Sequence, residues 1–345
     1  MLFGQEKVSF LNTPTPLERL PRISEELGLD FYIKRDDLTN LGVGGNKLRK
    51  LEYLLADAKR QGATTLLTMG GAQTNHGRLT AAVAAKYGMK CVIICLDDYP
   101  GEVSANILLD RLMGAEVVLK KDDGRPAAEQ YAQVVAQVKG RYEAQGEKVY
   151  EIPIGGSNTL GLLGYYECAV ELTGQALAQG IPGARVVCSV GSMGTYMGLF
   201  CGLKNERSPL RLTGISIMPQ EPGLEQRLLA YFEQAKAAWG LDCTASADEF
   251  DVRTDYTRGG YNNPSPEVRQ AIYLMARKEA VILDPCYTGK IFHGFVDLVR
   301  SGKIPEGENA IFLHSGGTPA IWSKEHLDAA QEIFYDGEGL FVHKA

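Results

Sequence analysis

Short apolar runs rich in valine and isoleucine alternate with longer runs of helical period along most of this chain, and that order leaves few folds open. Strands are expected at Phe31 to Lys34, Thr65 to Met69, Cys91 to Cys95, Glu116 to Leu119 and Val149 to Ile152. Helices from about Asn75 to Tyr87, Ser104 to Met113 and Pro126 to Ala144 fall between them. A second series sets strands at Arg185 to Val190, Arg211 to Ile217, Ala280 to Leu283 and Ala310 to Leu313. Its helices are expected at Thr195 to Lys204, Gly223 to Ala238, Pro266 to Glu279 and Lys290 to Ser301. Residues 1 to 30 read as irregular with one helix after T-P-T-P, and residues 240 to 264 read as irregular and polar. Strand–helix order with short connections calls for parallel sheets covered on both faces. Two such units with no long linker imply a cleft, and ligands of these sheets bind at the C-terminal ends of strands.

The loops at those strand ends carry the chemistry. Gly42 to Ala58 reads G-V-G-G-N-K-L-R-K-L-E-Y-L-L-A-D-A, so Lys47 sits where a glycine-rich loop becomes a helix. An amine that is desolvated and close to other cations, here Arg49 and Lys50, has a lowered pKa and can act as a Schiff-base nucleophile. The bland reading is a solvated first turn. A cationic first turn opposes the helix dipole, however, so an anion is expected beside it. M-G-G-A-Q-T-N-H-G-R places Thr74, Asn75, His76 and Gly77 at a helix start, where free N–H groups with the Thr74 hydroxyl and Asn75 amide suit a carboxylate. Thr74 or Asn75 as a simple helix cap is the plainer alternative. V-G-S-M-G-T, with Gly191, Ser192, Met193, Gly194 and Thr195, suits a phosphate and lacks the lysine of a P-loop. Tyr287 and Thr288 stand in L-D-P-C-Y-T-G-K and Tyr261 in a polar loop; two tyrosines entering a cleft are candidate acid–base groups. His314, in H-S-G-G-T-P, is more often structural. A reactive lysine, an anion-binding helix start and a phosphate-type turn together match what pyridoxal phosphate needs, since it carries both an aldehyde and a phosphate.

Composition narrows the partners. Thirty-six basic and 42 acidic residues are well mixed at net charge -6, which argues against nucleic acid and anionic lipid and favours a small molecule. Seven cysteines and five histidines show no metal-ligand spacing, so no metal is expected, and thiols in apolar runs read as reduced core residues. No signal-peptide pattern and no run of 18 apolar residues is present, and a cytoplasmic location is expected.

From T-P-T-P-L-E-R-L to H-S-G-G-T-P-A the chain resembles the fold-type II pyridoxal-phosphate enzymes, in the group that contains D-cysteine desulfhydrase and 1-aminocyclopropane-1-carboxylate deaminase. The segments G-G-N-K-L-R-K-L-E, G-A-Q-T-N-H-G-R, N-I-L-L-D-R-L-M-G-A and D-P-C-Y-T-G-K carry the likeness. It implies a tryptophan-synthase-β-like α/β fold of two open twisted parallel-sheet domains, with the active site between them. Residues 1–47 and 161–345 would form the large domain and 48–160 the small inserted one. Lys47 matches the Schiff-base lysine, Lys50 the lysine at the cofactor phosphate, and Asn75 the asparagine beside the cofactor's phenolic oxygen. Gly191 to Thr195 matches the phosphate cup, Thr74 stands where the family usually has a substrate-contacting serine, and Tyr261 and Tyr287 match the two active-site tyrosines. Deaminases of the group carry glutamate and leucine where this chain has Thr288 and Ser315, which points to α,β-elimination from D-cysteine, giving pyruvate, hydrogen sulfide and ammonia. Whether Lys47 or a tyrosine removes the α-proton stays open. L-cysteate sulfo-lyase activity, cyclopropane deamination, and a non-catalytic phosphate-ligand-binding regulator are the alternatives, and a homodimer is implied.

Overall fold

The computed structural model describes residues 1–98, 102–305 and 307–334. Its strands are β1 (Leu17–Arg19), β2 (Phe31–Arg35), β3 (Thr65–Gly70), β4 (Lys90–Leu96) and β5 (Glu116–Lys120). They continue as β6 (Val149–Glu151), β7 (Arg185–Val190), β8 (Arg211–Ser216), β9 (Val252–Arg253) and β10 (Ala310–His314). Helices α1 (Pro21–Leu27), α2 (Lys47–Arg60), α3 (Asn75–Lys86), α4 (Ala105–Leu112), α5 (Ala127–Glu143) and α6 (Thr159–Ala178) occupy the first half. The second holds α7 (Gly194–Asn205), α8 (Leu224–Trp239), α9 (Pro266–Glu279), α10 (Thr288–Arg300) and α11 (Lys324–Phe334).

Two sheets result. Six strands lie in the order β1-β2-β10-β7-β8-β9, all parallel except β1, and four parallel strands lie in the order β5-β4-β3-β6. The four-stranded sheet is built wholly from residues between β2 and β7 of the other. Alternate residues of one strand go to opposite cores, as a sheet buried on both faces requires. Val186, Cys188 and Val190 of β7 pack under α6, α7 and α8, whereas Val187 joins Phe31, Phe292 and Phe312 on the other side. In the smaller sheet Cys91, Ile93 and Cys95 meet α2 and α3, while Val92 and Ile94 meet α5.

The expected strand at Ala280 to Leu283 does not form. Ala280 closes α9 in the left-handed conformation (φ 56°), and the Ile282 carbonyl accepts from His314 Nε2 at 3.1 Å instead of joining a ladder. Two short strands, β1 and β9, lie in stretches the sequence pattern leaves irregular. No described helix is long and apolar enough to cross a membrane.

Candidate active site

Both sheets turn the C-terminal ends of their strands toward one cavity of about 380 Å³. Lys47 opens α2 on its floor. The loop before it has four successive positive φ values, at Gly42, Val43, Gly44 and Gly45, and a Cβ on Gly44 would fall 2.0 Å from the Asp37 carbonyl oxygen. Its backbone is tied down on every side. Gly45 N–H donates to Thr39 Oγ1 at 2.7 Å, Asn46 N–H to the Ser315 carbonyl at 3.0 Å, and the Arg78 guanidinium to the Gly42 and Gly44 carbonyls at 2.8 and 3.0 Å.

Burial alone pushes the Lys47 amine down to about 8. Arg49 plays no part in this. It points away into a buried network, donating to Asp36 Oδ2 at 2.9 Å and Glu171 Oε2 at 3.0 Å, and Lys34 binds Glu171 from the other side. Although burial works against its charge, Arg49 holds the Asp36 carboxyl below its usual range. That network fixes the direction of α2.

Lys50 lies on the other face, fully buried, and donates to the Gly155 carbonyl at 3.0 Å and Ser157 Oγ at 3.3 Å. Burial and then Lys47 push it well down, with no carboxylate to offset them. Ser157 Oγ is 2.8 Å from Ser192 Oγ, and a Cβ on Gly194 would lie 2.8 Å from Lys50 Nζ. The lysine therefore sits against the Gly191 to Thr195 turn. Thr195 Oγ1 accepts from Asn46 Nδ2 at 3.0 Å, which couples that turn to the Lys47 loop.

At the start of α3, Thr74 Oγ1 accepts the Gly77 N–H at 3.2 Å, so Gly77 is already satisfied. The N–H groups of Asn75 and His76, with the Thr74 hydroxyl hydrogen, remain to meet an anion. Both ring nitrogens of His76 are buried without a hydrogen-bond partner. Burial first, then Lys47 and Lys50, keeps this imidazole neutral.

Tyr261 and Tyr287 meet edge to face, ring centroids 5.7 Å apart, with Tyr287 Oη 3.3 Å from Tyr261 Oη. Burial pushes both hydroxyls up, that of Tyr261 well above the usual phenol value. Asp284 aims Tyr287: one carboxylate oxygen accepts the N–H groups of Cys286 and Tyr287, both at 2.9 Å, and the other accepts the Thr288 N–H at 2.7 Å.

Lys47, Thr74, His76, Gly191, Ser192, Met193, Thr195, Tyr261 and Tyr287 all line the cavity. Lys50, Asn75, Gly77, Gly194, Thr288 and Ser315 stand behind that lining. Thr288 has its hydroxyl between the Asp284 carboxylate and the Asp284 N–H, and Asn75 Oδ1 accepts from Asn106 Nδ2 at 3.0 Å. His314 is structural, with Nε2 donating to Ile282 and Nδ1 accepting the Gly316 N–H at 3.2 Å. Residue reading passed over Gly155, Ser157, Leu96, Tyr131 and Met218. Only the first two had a visible signal, the glycine pair and serine of I-G-G-S-N after a strand.

Pyridoxal-phosphate dependent enzymes, as a family, match residues 8–316. This chain belongs to that family. It is 41% identical over 324 residues to a D-cysteine desulfhydrase of Yersinia enterocolitica, covering 92% of this chain and 95% of the relative. A solved structure described as an ACC deaminase homologue superposes with a TM-score of 0.85 at 35% identity, covering 96% of this chain and 97% of the other. A fungal L-serine ammonia-lyase from Rhizomucor miehei, 17% identical with a TM-score of 0.62 over 93% of this chain and 98% of its own, shares the fold. The residues of this cavity fit the family's cofactor. Two buried ammonium groups without a carboxylate, an imidazole with both nitrogens unpartnered, and a serine-lined turn form a place made for an anion next to a reactive amine.

Proposed function

We propose that this enzyme eliminates the β-substituent of a small amino acid, with D-cysteine going to pyruvate, hydrogen sulfide and ammonia. The observation that carries the reading is Lys47: a buried amine lowered to about 8 on the floor of a cavity that holds no other cationic side chain among its described lining residues. Relatives at 41% identity bear the name D-cysteine desulfhydrase. A sulfonate leaving group would need a cation near the β-carbon, and nothing beyond Lys47 offers one in that lining, which disfavours L-cysteate.

Lys47 would hold the aldehyde end of pyridoxal phosphate. Lys50, Ser157 and the Gly191 to Thr195 turn would hold its phosphate, and Asn75, Thr288 and Ser315 would support its ring from behind the cavity wall. When bound, the cofactor supplies an electron-withdrawing ring conjugated to the substrate's α-carbon. The substrate carboxylate docks on Thr74 and the N–H groups of Asn75 and His76. Lys47, neutral at and above about pH 8, takes the α-proton. Burial keeps the Tyr261 and Tyr287 hydroxyls protonated, so they donate hydrogen bonds to the departing sulfur, which takes its proton from Lys47.

The same reading makes 1–47 and 161–345 one domain and 48–160 the other. It also makes the protein a cytoplasmic homodimer, supported by the resemblance to the family and by seven unpaired thiols, and light scattering would show twice the chain mass. The deciding experiment offers the purified enzyme D-cysteine, L-cysteine, L-cysteate and 1-aminocyclopropane-1-carboxylate, and maps the residue labelled by hydride reduction. Pyruvate and sulfide from D-cysteine with a label on Lys47 are expected. A label elsewhere, or 2-oxobutanoate from the cyclic substrate in place of sulfide, refutes the reading.

A further inference from the structure

Asn106, the second residue of α4, does not line the cavity, yet it is fully buried against the start of α3. Gln73 holds it twice. The Asn106 N–H donates to Gln73 Oε1 at 2.9 Å, and Asn106 Nδ2 donates to the Gln73 main-chain carbonyl at 2.7 Å. Asn106 Nδ2 also donates to Asn75 Oδ1 at 3.0 Å. Asn106 Oδ1 is left buried without a partner among the described residues, a cost that packing of α4 alone does not explain.

The direction of these amides follows from the donors and acceptors. A main-chain carbonyl only accepts, so the Asn106 atom beside Gln73 has to be nitrogen. One of its two hydrogens goes to that carbonyl and the other to Asn75, so the Asn75 atom facing it has to be oxygen. In a planar amide the nitrogen lies on the other side, and Asn75 Nδ2 is turned away from α4. It lies beside the loop after β10, where a Cβ on Gly317 would fall 2.9 Å from it, and no described residue accepts from it. Tyr261 Oη donates to the same Gln73 carbonyl at 3.3 Å, which ties the arrangement to the cavity wall.

We infer that Asn106 is a positioning residue for the cofactor: it locks the Asn75 amide with its nitrogen outward, so that Asn75 donates to the phenolic oxygen and never presents its own carbonyl there. The inference rests on the reading above that Asn75 supports the cofactor ring. An unrestrained asparagine amide can turn over without changing its shape, and a carbonyl set against a phenolate oxygen repels it. Asn106 removes that second state.

The test pairs one side chain with one cofactor atom. Equilibrium dialysis on the full-length chain gives Kd for pyridoxal phosphate and for 3-deoxypyridoxal phosphate, which lacks the phenolic oxygen. The wild type should bind pyridoxal phosphate about tenfold or more tightly than the analogue. Asn106→Asp has at most one hydrogen on its carboxyl, and the fixed Gln73 carbonyl takes it. Asn75 then turns its nitrogen to the carboxyl and its oxygen to the cofactor. Kd for pyridoxal phosphate should rise about tenfold or more, and Kd for the analogue by less than about twofold. Asn106→Leu, which adds neither an acceptor nor a charge, covers the case that the aspartate variant does not fold. It should raise Kd for pyridoxal phosphate about threefold or more and spare the analogue equally. Equal loss for both cofactors, or no loss, overturns the inference and leaves the elimination reading standing. A wild type that binds both cofactors equally overturns the contact of Asn75 with the phenolic oxygen and the inference with it. A wild type that binds neither overturns the elimination reading as well.

Discussion

Lys47 shows how much a single environment decides. A lysine amine titrating at its ordinary 10.5 is almost wholly protonated near neutral pH and offers little free amine to an aldehyde; lowered to about 8, about a tenth of it is free at pH 7 and about half at pH 8. The rate at which apoprotein takes up pyridoxal phosphate, followed by absorbance, should therefore rise about tenfold per pH unit below 8 and level off above it. A rise that continues to pH 10 would mean that burial does not set this amine. The lysine and its loop were legible because three glycines before a helical run mark a tight approach, and Gly44 has no room for a Cβ. The fate of its neighbours was not legible. Spacing puts Arg49 and Lys50 in one cationic turn, but only packing shows that Arg49 belongs to Asp36 and Glu171 while Lys50 faces the phosphate-type turn.

Elements, not residues, aim the tyrosines. Lys290 on α10 is fully buried and donates to three carbonyls, those of Ile217 at 3.1 Å, Thr257 at 2.9 Å, and Gly260. It thereby clamps the loop that ends at Tyr261 onto the end of β8. Lys290→Met should lower kcat for D-cysteine by about 10- to 100-fold with cofactor absorbance retained, as a displacement near 1 Å does. Combined with Tyr261→Phe, the losses should multiply to less than their product, because both act through one hydroxyl. Full multiplication would show that Lys290 does not work through the tyrosine. D-P-C-Y-T-G-K drew attention to Tyr287 and not to the lysine that ends it, since a helix-start lysine looks solvated until the fold closes over it. The missing strand at Ala280 to Leu283 has a related cause: an apolar run of four fits a strand or a buried connection equally well, and the left-handed Ala280 decides it.

At the scale of the molecule the alternation of strands and helices was enough to place the cleft, whereas the chain's pH response depends on burial that no pattern reports. Cys91, Cys95, Cys168, Cys188, Cys201 and Cys286 are buried free thiols, each pushed above its ordinary 9.0, first by burial. A group raised in the folded state stabilises fully below its unfolded value and loses that contribution as pH rises toward the folded one. Above pH 9 the unfolded chain therefore sheds thiol protons that the folded chain keeps. Lys47 and Lys50 act in the opposite sense, since burial lowers them and their penalty relaxes between about 8 and 10.5. Six thiols outweigh two lysines. Urea unfolding of the reduced apoprotein should accordingly show stability falling from pH 9 to 10, each thiol contributing up to about 1.4 kcal/mol per pH unit. Cys188→Ala, which removes one buried titrating group from β7, should make that slope shallower even though the cavity lowers stability at pH 7. A profile flat across the same interval would place these thiols in contact with water and contradict the packed double-faced sheets on which the cleft is built.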